Sequence, residues 1–186
     1  GDMPDPAALR YLQERYGCHL VIDEAHTTLL YPEGKTWAQQ HGLSPLLTLL
    51  TFGKAVGLIG AALLAPPPVH RYLQRRCIGA IYSTALPPFV GAAIATVFAR
   101  AMEWLPRQKH LWEAVALLRK RLQEEDIPFL GLEGPIAMVS QPPEGIPLKQ
   151  LLPPTVPRPL YRISLHANHT PEVIETLVQA LKGARS

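Results

Sequence analysis

Apolar residues along the chain fall into two patterns. Three early runs, HLVID (19–23), LTLLTF (47–52) and GAALLA (60–65), are continuously apolar rather than alternating. Such runs predict strands covered on both faces, as in an α/β protein with a mainly parallel sheet. Helical segments fall between and after them. Residues 7–16 follow Pro6 and stop at Gly17, the placement of proline and glycine that brackets a helix. Residues 69–77 follow a proline triplet, and 88–104 are rich in alanine. Pro106 interrupts that pattern, and from Arg107 to Glu125 the residues Leu111, Val115, Leu118 and Leu122 form one apolar stripe at helical spacing.

The pattern changes after Asp126. Nine of the 20 prolines lie between Pro128 and Pro159, among short strand-like runs such as IAMVS (136–140) and LYRISL (160–165). A final helix is predicted from Thr170 as N-cap, with Pro171 in its first turn, to Gly183. The expected organisation is therefore α/β over residues 1–106, as part of a large domain with helices on both faces of its sheet. A smaller α+β domain follows over 107–186, joined through a bent helical connection near Pro106. The first strand reads as an interior one although only GDMPDP and one helix precede it. The segment thus reads as the later part of a longer pattern.

Composition narrows the functional classes. Hydrophobic residues make up 47% of the chain, mean hydropathy is +0.06 and the net charge is +3. RYLQRRC (71–77) is the densest cationic stretch, narrower than the surfaces that bind nucleic acid, and reads as a solvated helix face. Cys18 and Cys77 have neither CxxC spacing nor neighbouring histidines, which argues against a disulfide framework and a zinc site. The longest apolar run, 55–65, is too short to span a bilayer. A soluble, cytoplasmic protein with no nucleic-acid or membrane partner and two reduced, partly buried thiols is expected.

The stretch VIDEAHTTLLYPEGKT (21–36) carries letters of an RNA helicase, DEAH, and of a nucleotide-binding loop, GKT. A phosphate-binding loop needs GxxxxGK[ST] ahead of its metal-binding acid. Here Leu29 occupies the first glycine position and GKT follows DEAH, so both matches are coincidental. A different pairing is chemically coherent. Lys54 ends an apolar strand between Gly53 and Gly57, and Asp23 ends the preceding strand 31 residues earlier, one β-α-β crossover away. Both groups would emerge at the carboxyl edge of a parallel sheet, where open α/β proteins bind ligands. An amine in apolar surroundings can act as a nucleophile, and a lysine with an aspartate partner is the pairing that pyridoxal phosphate requires.

VIDEAH, TFGKAVGLIGAALL and IYSTALPP, in that order, resemble the α-oxoamine synthase family of fold-type I pyridoxal-phosphate enzymes. The opening GDMPDPAALRYLQERYG and the closing RISLHANHTPEVIETLVQAL resemble the family's lead into its aspartate strand and its last strand and helix. The resemblance implies pyridoxal 5'-phosphate bound through Lys54, which would also move the substrate Cα proton. It places Asp23 against the ring nitrogen, His26 beside the ring hydroxyl and Thr51 on the phosphate. It places Ser83 and Thr84 on the phosphate of a second subunit's site, hence a homodimer with shared active sites. Arg162 would clamp a substrate carboxylate, with Arg158 as its competitor. The implied reaction is a decarboxylative condensation of an amino acid, L-alanine, with an acyl thioester of coenzyme A or a carrier protein. On residue chemistry alone, His26 also fits a histidine at a helix start, and Ser83 and Thr84 also fit caps of the helix after Pro88.

Two departures from the family pattern stand out. After DEAH the family continues with a glycine-rich run, whereas this chain has TTLLYPEGKTW, with Leu29 and Tyr31 where small residues are common. Family members also run to roughly twice this length, a large domain plus a small one. Their earlier part supplies a ring-stacking platform, a glycine-rich phosphate loop and further strands. The 186 residues alone are therefore expected to leave apolar sheet surface uncovered and the site incomplete.

Overall fold

Asp5 lies in an extended conformation, its carboxylate accepts a hydrogen bond from the Ala7 amide, and Pro6 takes the first helical position. These choices start α1, Pro6–Tyr16, which Gly17 closes in the left-handed region (φ 63°) as the sequence predicts. In the computed structural model, which describes residues 2–184, the chain forms two compact units. One comprises residues 4–105. The other comprises 106–184 together with residues 2–3.

The first unit holds a three-stranded sheet in the order β1-β2-β3, built from β1 (Val21–Asp23), β2 (Leu47–Thr51) and β3 (Ala61–Leu64). β1 and β2 are parallel, with Val21 opposite Leu47 and Asp23 opposite Leu49. β3 runs antiparallel to β2, which corrects the expectation of a mainly parallel arrangement for these three strands. The reason is length. Only the segment 52–60 separates β2 from β3, and a parallel return needs a dozen residues or more. The segment closes as a hairpin instead: the Phe52 amide donates to the Gly60 carbonyl at 2.9 Å and the Leu58 amide to that of Phe52 at 2.8 Å. Gly60 has φ +117°, a backbone conformation that side chains rarely adopt, so the hairpin requires glycine there.

Burial on this sheet is one-sided. Along the middle strand Thr48 and Leu50 are buried on one face, whereas on the outer strands Val21, 67% exposed, and Leu63 lie open on the other face and Leu64 is open beside Thr48. The expectation of strands covered on both faces does not hold for this chain. Between β1 and β2 the chain is mostly a loop. A 3-10 turn at Pro32–Gly34 leads into the short helix α2 (Trp37–Gln40), where Thr36 and Gln39 form a reciprocal capping box. Leu30, Tyr31, Trp37, Ala38 and Leu43 bury themselves within this crossover, and the His41 ring packs on Trp37 at 4.9 Å between centroids.

After β3 come α3 (Pro67–Arg76), α4 (Ile78–Ile81) and α5 (Pro88–Ala99). α3 buries no residue, so Arg71, Arg75 and Arg76 form a solvated face. Cys18 is exposed and Cys77 half-buried; both are free thiols, and only Cys77 fits the partly buried position expected of both.

In the other unit, α6 (Leu105–Glu124) contains Pro106 in its first turn. Proline does not break the helix there because amides of the first turn have no intrahelical partner. The stripe Leu111, Val115, Leu118 and Leu122 is fully inward, with Leu118 and Leu122 at 0% exposure. Four strands, β4 (Phe129–Gly131), β5 (Ile136–Val139), β6 (Lys149–Leu151) and β7 (Leu160–Ser164), form an antiparallel sheet in the order β4-β5-β7-β6. The final helix α7 (Pro171–Gly183) buries Ile174, Leu177, Val178 and Leu181, and ends at Gly183 as expected, with Ala184 at its C-cap. Each of these aliphatic side chains contributes about 2 kcal/mol through burial. Arg121 on α6 binds Glu175 on α7 through two hydrogen bonds of 2.8 Å. Among the described residues no single helix is long and apolar enough to cross a membrane.

Candidate functional site

The parallel pairing of β1 and β2 puts Asp23 at a carboxyl strand end beside the strand that leads to Lys54. Three contacts then draw the two together through the backbone of Ala25. The Asp23 carboxylate accepts from the Ala25 amide at 2.8 Å, the Thr51 hydroxyl donates to the Ala25 carbonyl at 3.5 Å, and Lys54 Nζ reaches Thr51 Oγ1 at 3.4 Å. The last two are long, at the margin of hydrogen bonding. They nevertheless set Asp23, Thr51 and Lys54 around one residue, Ala25.

Lys54 is exposed in the hairpin turn, and among the described residues its ammonium has no carboxylate partner. This corrects the expectation of a lysine in apolar surroundings, since the turn carries it clear of Phe52, which is buried. Asp23 is also exposed; its Oδ1 is taken by Ala25, and Oδ2 has no hydrogen bond among the described residues. His26 lies exposed in the turn that follows Asp23. An amine, a free carboxylate oxygen and an imidazole at one sheet edge are a donor set that suits pyridoxal phosphate.

The remaining predicted residues lie further along the chain. Ser83 and Thr84 are exposed in the loop between α4 and α5, where the Ser83 hydroxyl donates to the Ala80 carbonyl at 3.3 Å. Neither caps α5, whose N-cap is Pro87 without a side-chain bond. Arg162 belongs to the other unit, on β7, paired across the sheet with Met138 and Lys149. Its Nε is buried and has no hydrogen-bond partner among the described residues. A buried guanidinium donor left open is costly unless a ligand completes it, which suits the recognition of a carboxylate. His166 and His169 stack at 3.9 Å between ring centroids, and burial and the neighbouring ring push the His169 pKa down.

Sequence reasoning missed one residue, Glu24. Its side chain is 1% exposed, the carboxylate accepts from Trp37 N at 2.5 Å, Ala38 N at 3.0 Å and Thr27 Oγ1 at 3.0 Å, and its amide donates to Leu49 O at 2.8 Å. The signal was present in strand parity: Glu24 is two positions beyond Ile22 and opposite in sense to Asp23, so it turns inward where Asp23 turns outward. Tyr31 lies within reach of this charge; burial first, and Glu24 second, push its phenol up to about 12.

Comparison with known proteins shows the family. The family model for aminotransferase class I and II matches residues 1–181. An 8-amino-7-oxononanoate synthase from Vibrio vulnificus is 36% identical over 97% of this chain and 51% of its own length. A protein of the same name from Yersinia pestis is 30% identical over 98% of this chain and 52% of its own. The chain therefore spans about half the length of the curated relatives it matches. Among solved structures, a Sphingomonas wittichii serine palmitoyltransferase superposes with a TM-score of 0.85 at 22% identity, over 99% of this chain and 51% of its own. An 8-amino-7-oxononanoate synthase from Francisella tularensis gives 0.81 at 21%, over 94% of this chain and 57% of its own. At these identities the structures establish the fold.

Proposed function

The chain belongs to the aminotransferase class I and II family, and on that premise we propose that it is the lysine-bearing part of an α-oxoamine synthase. Residues 1–106 belong to the cofactor-binding large domain in this reading, and 107–186 form the small α+β domain. The reaction is the condensation of L-alanine with a pimeloyl thioester to 8-amino-7-oxononanoate, a step of biotin synthesis. A bond forms between the alanine Cα and the thioester carbonyl carbon, the C–S bond breaks to release the thiol, and the alanine carboxylate leaves as CO2. Pyridoxal phosphate is the cofactor of this family, and when bound it supplies an electron sink for negative charge at Cα.

The chain's own residues divide the work. Lys54 would hold the cofactor through its amine and would remove and return the substrate Cα proton. Asp23 would hold the ring nitrogen with its open carboxylate oxygen and keep it protonated. His26 would lie beside the ring hydroxyl, and the Thr51 hydroxyl would bind the phosphate. Ser83 and Thr84 serve the phosphate of a partner subunit in a homodimer. Arg162 holds the amino-acid carboxylate with its fixed fork of donors. The protein is soluble and cytoplasmic in this reading.

One observation carries the proposal: Asp23 ends β1, the parallel neighbour β2 leads into the turn that bears Lys54, and a chain of contacts through Ala25 and Thr51 links the two. The test is release of free thiol from pimeloyl-coenzyme A or a pimeloyl carrier protein in the presence of pyridoxal phosphate, by this chain completed with the earlier part that its relatives carry. L-Alanine supports release and glycine does not. Release with glycine and acetyl- or succinyl-coenzyme A instead would assign glycine C-acetyltransferase or 5-aminolevulinate synthase chemistry. A chain that binds the cofactor yet releases thiol with no pair would be a dimerisation or scaffold module.

A further inference from the structure

Glu24 is the most enclosed charged side chain among the described residues, and no step above uses it. Its carboxylate takes the Thr27 hydroxyl at one end of the crossover loop and the Trp37 and Ala38 amides at the other, so a single side chain closes residues 27–36 into a loop with joined ends. Its backbone completes the fastening. The Glu24 amide is tied to Leu49 of β2, and its carbonyl accepts from the Thr27 and Thr28 amides at 3.0 Å and from the Thr28 hydroxyl at 2.8 Å. The next residue is Ala25, whose amide shares a peptide with the Glu24 carbonyl and holds the Asp23 carboxylate, and whose own carbonyl receives Thr51.

We propose that Glu24 is a positioning residue: its buried carboxylate fixes the backbone of Ala25, and through it the Asp23 carboxylate and the Thr51–Lys54 contact. The inference deepens the cofactor reading and rests on it only for the purpose that this fixing serves. Placing a carboxylate in a buried pocket is costly unless every donor facing it is matched, and here the matching donors are loop amides. The loop cannot shift without stripping that charge of its partners. A neutral side chain of the same size would impose no such restraint. The loop so held is the one whose TTLLYPEGKTW departs from the glycine-rich run of the family, and it holds Leu29 and Glu33 at φ +62° and +61°. Non-glycine residues persist there only where surrounding structure enforces them. The Glu24 clasp is such an enforcement.

Glu24→Gln keeps the volume but turns an NH2 donor toward amides that are themselves donors; Glu24→Asp keeps the charge with a shorter reach. Hydrogen exchange of the ligand-free 186-residue chain is the first readout. In Glu24→Gln, the Trp37, Ala38 and Ala25 amides exchange about tenfold faster, the loss of one hydrogen bond's worth of protection, and those of α7 do not change. Loss confined to Trp37 and Ala38, with Ala25 as in the unsubstituted chain, would overturn the proposal, because a cap that serves only α2 predicts that result. The second readout is the pH dependence of the visible absorbance after adding pyridoxal phosphate. Glu24→Gln moves its midpoint, and Glu24→Asp restores part of the shift. An unmoved midpoint contradicts the proposal. Absence of any band in the unsubstituted chain removes the cofactor reading, while the Ala25 exchange still decides the role of Glu24.

Discussion

Leu29 stands where a left-handed backbone is needed, at φ +62°, and a leucine side chain resists that conformation. The usual order of substitutions should therefore invert at this position. Alanine keeps the unfavourable Cβ, whereas glycine removes it at a smaller cost in unfolded-chain entropy. Leu29→Gly is expected to be more stable than Leu29→Ala by about 1 kcal/mol, read as the difference in urea midpoints. Equal midpoints would mean that the loop relaxes away from the left-handed region. The pair at the sheet edge follows from a different residue-scale fact, the opposite parity of neighbours in a strand. Asp23 turns out and Glu24 turns in, so two adjacent acids do unrelated jobs. The sequence made Asp23 and Lys54 visible through their spacing. Glu24 stayed hidden because its partners are backbone amides 13 and 14 residues away, and amides carry no letter in a sequence.

At the scale of elements, periodicity located what periodicity can describe. The stripe on α6 and the start of α7 at Pro171 were legible because long helices repeat their burial every three to four residues. The direction of β3 was not legible from its apolar run and depended instead on counting the residues of the connection before it. β4 and β6, three residues each, are too short to show any alternation among prolines. The contact between α6 and α7 adds a pH dependence. Two hydrogen bonds from Arg121, and then one from Gln179, pull the Glu175 carboxylate down to about 2. A carboxyl whose folded value lies below its unfolded value stabilises the fold above the unfolded value and loses that contribution as pH falls. The thermal midpoint should thus drop between about pH 5 and pH 2. Glu175→Gln is expected to lower the midpoint at pH 7 and to flatten this part of the curve. An unchanged acid profile would mean that the pair is too solvated to matter.

For the whole molecule, the two compact units carry different parts of the proposed chemistry. Residues 4–105 hold the edge at which Asp23, Thr51 and Lys54 converge, and 106–184 hold Arg162 with its buried, unmatched Nε. The family assignment covers both units, since its model matches residues 1–181. The apolar face bearing Val21 and Leu63 stays open in this chain, and the sequence foretold that uncovered surface from runs too apolar for so few strands. The most direct measurement is borohydride reduction of the chain mixed with pyridoxal phosphate, followed by peptide mapping of the label. The account predicts that Lys54 carries the label in preference to the other five lysines, and that Asp23→Asn weakens this preference. Label spread evenly over Lys35, Lys109, Lys120, Lys149 and Lys182, with Lys54 no more reactive than they are, would contradict it.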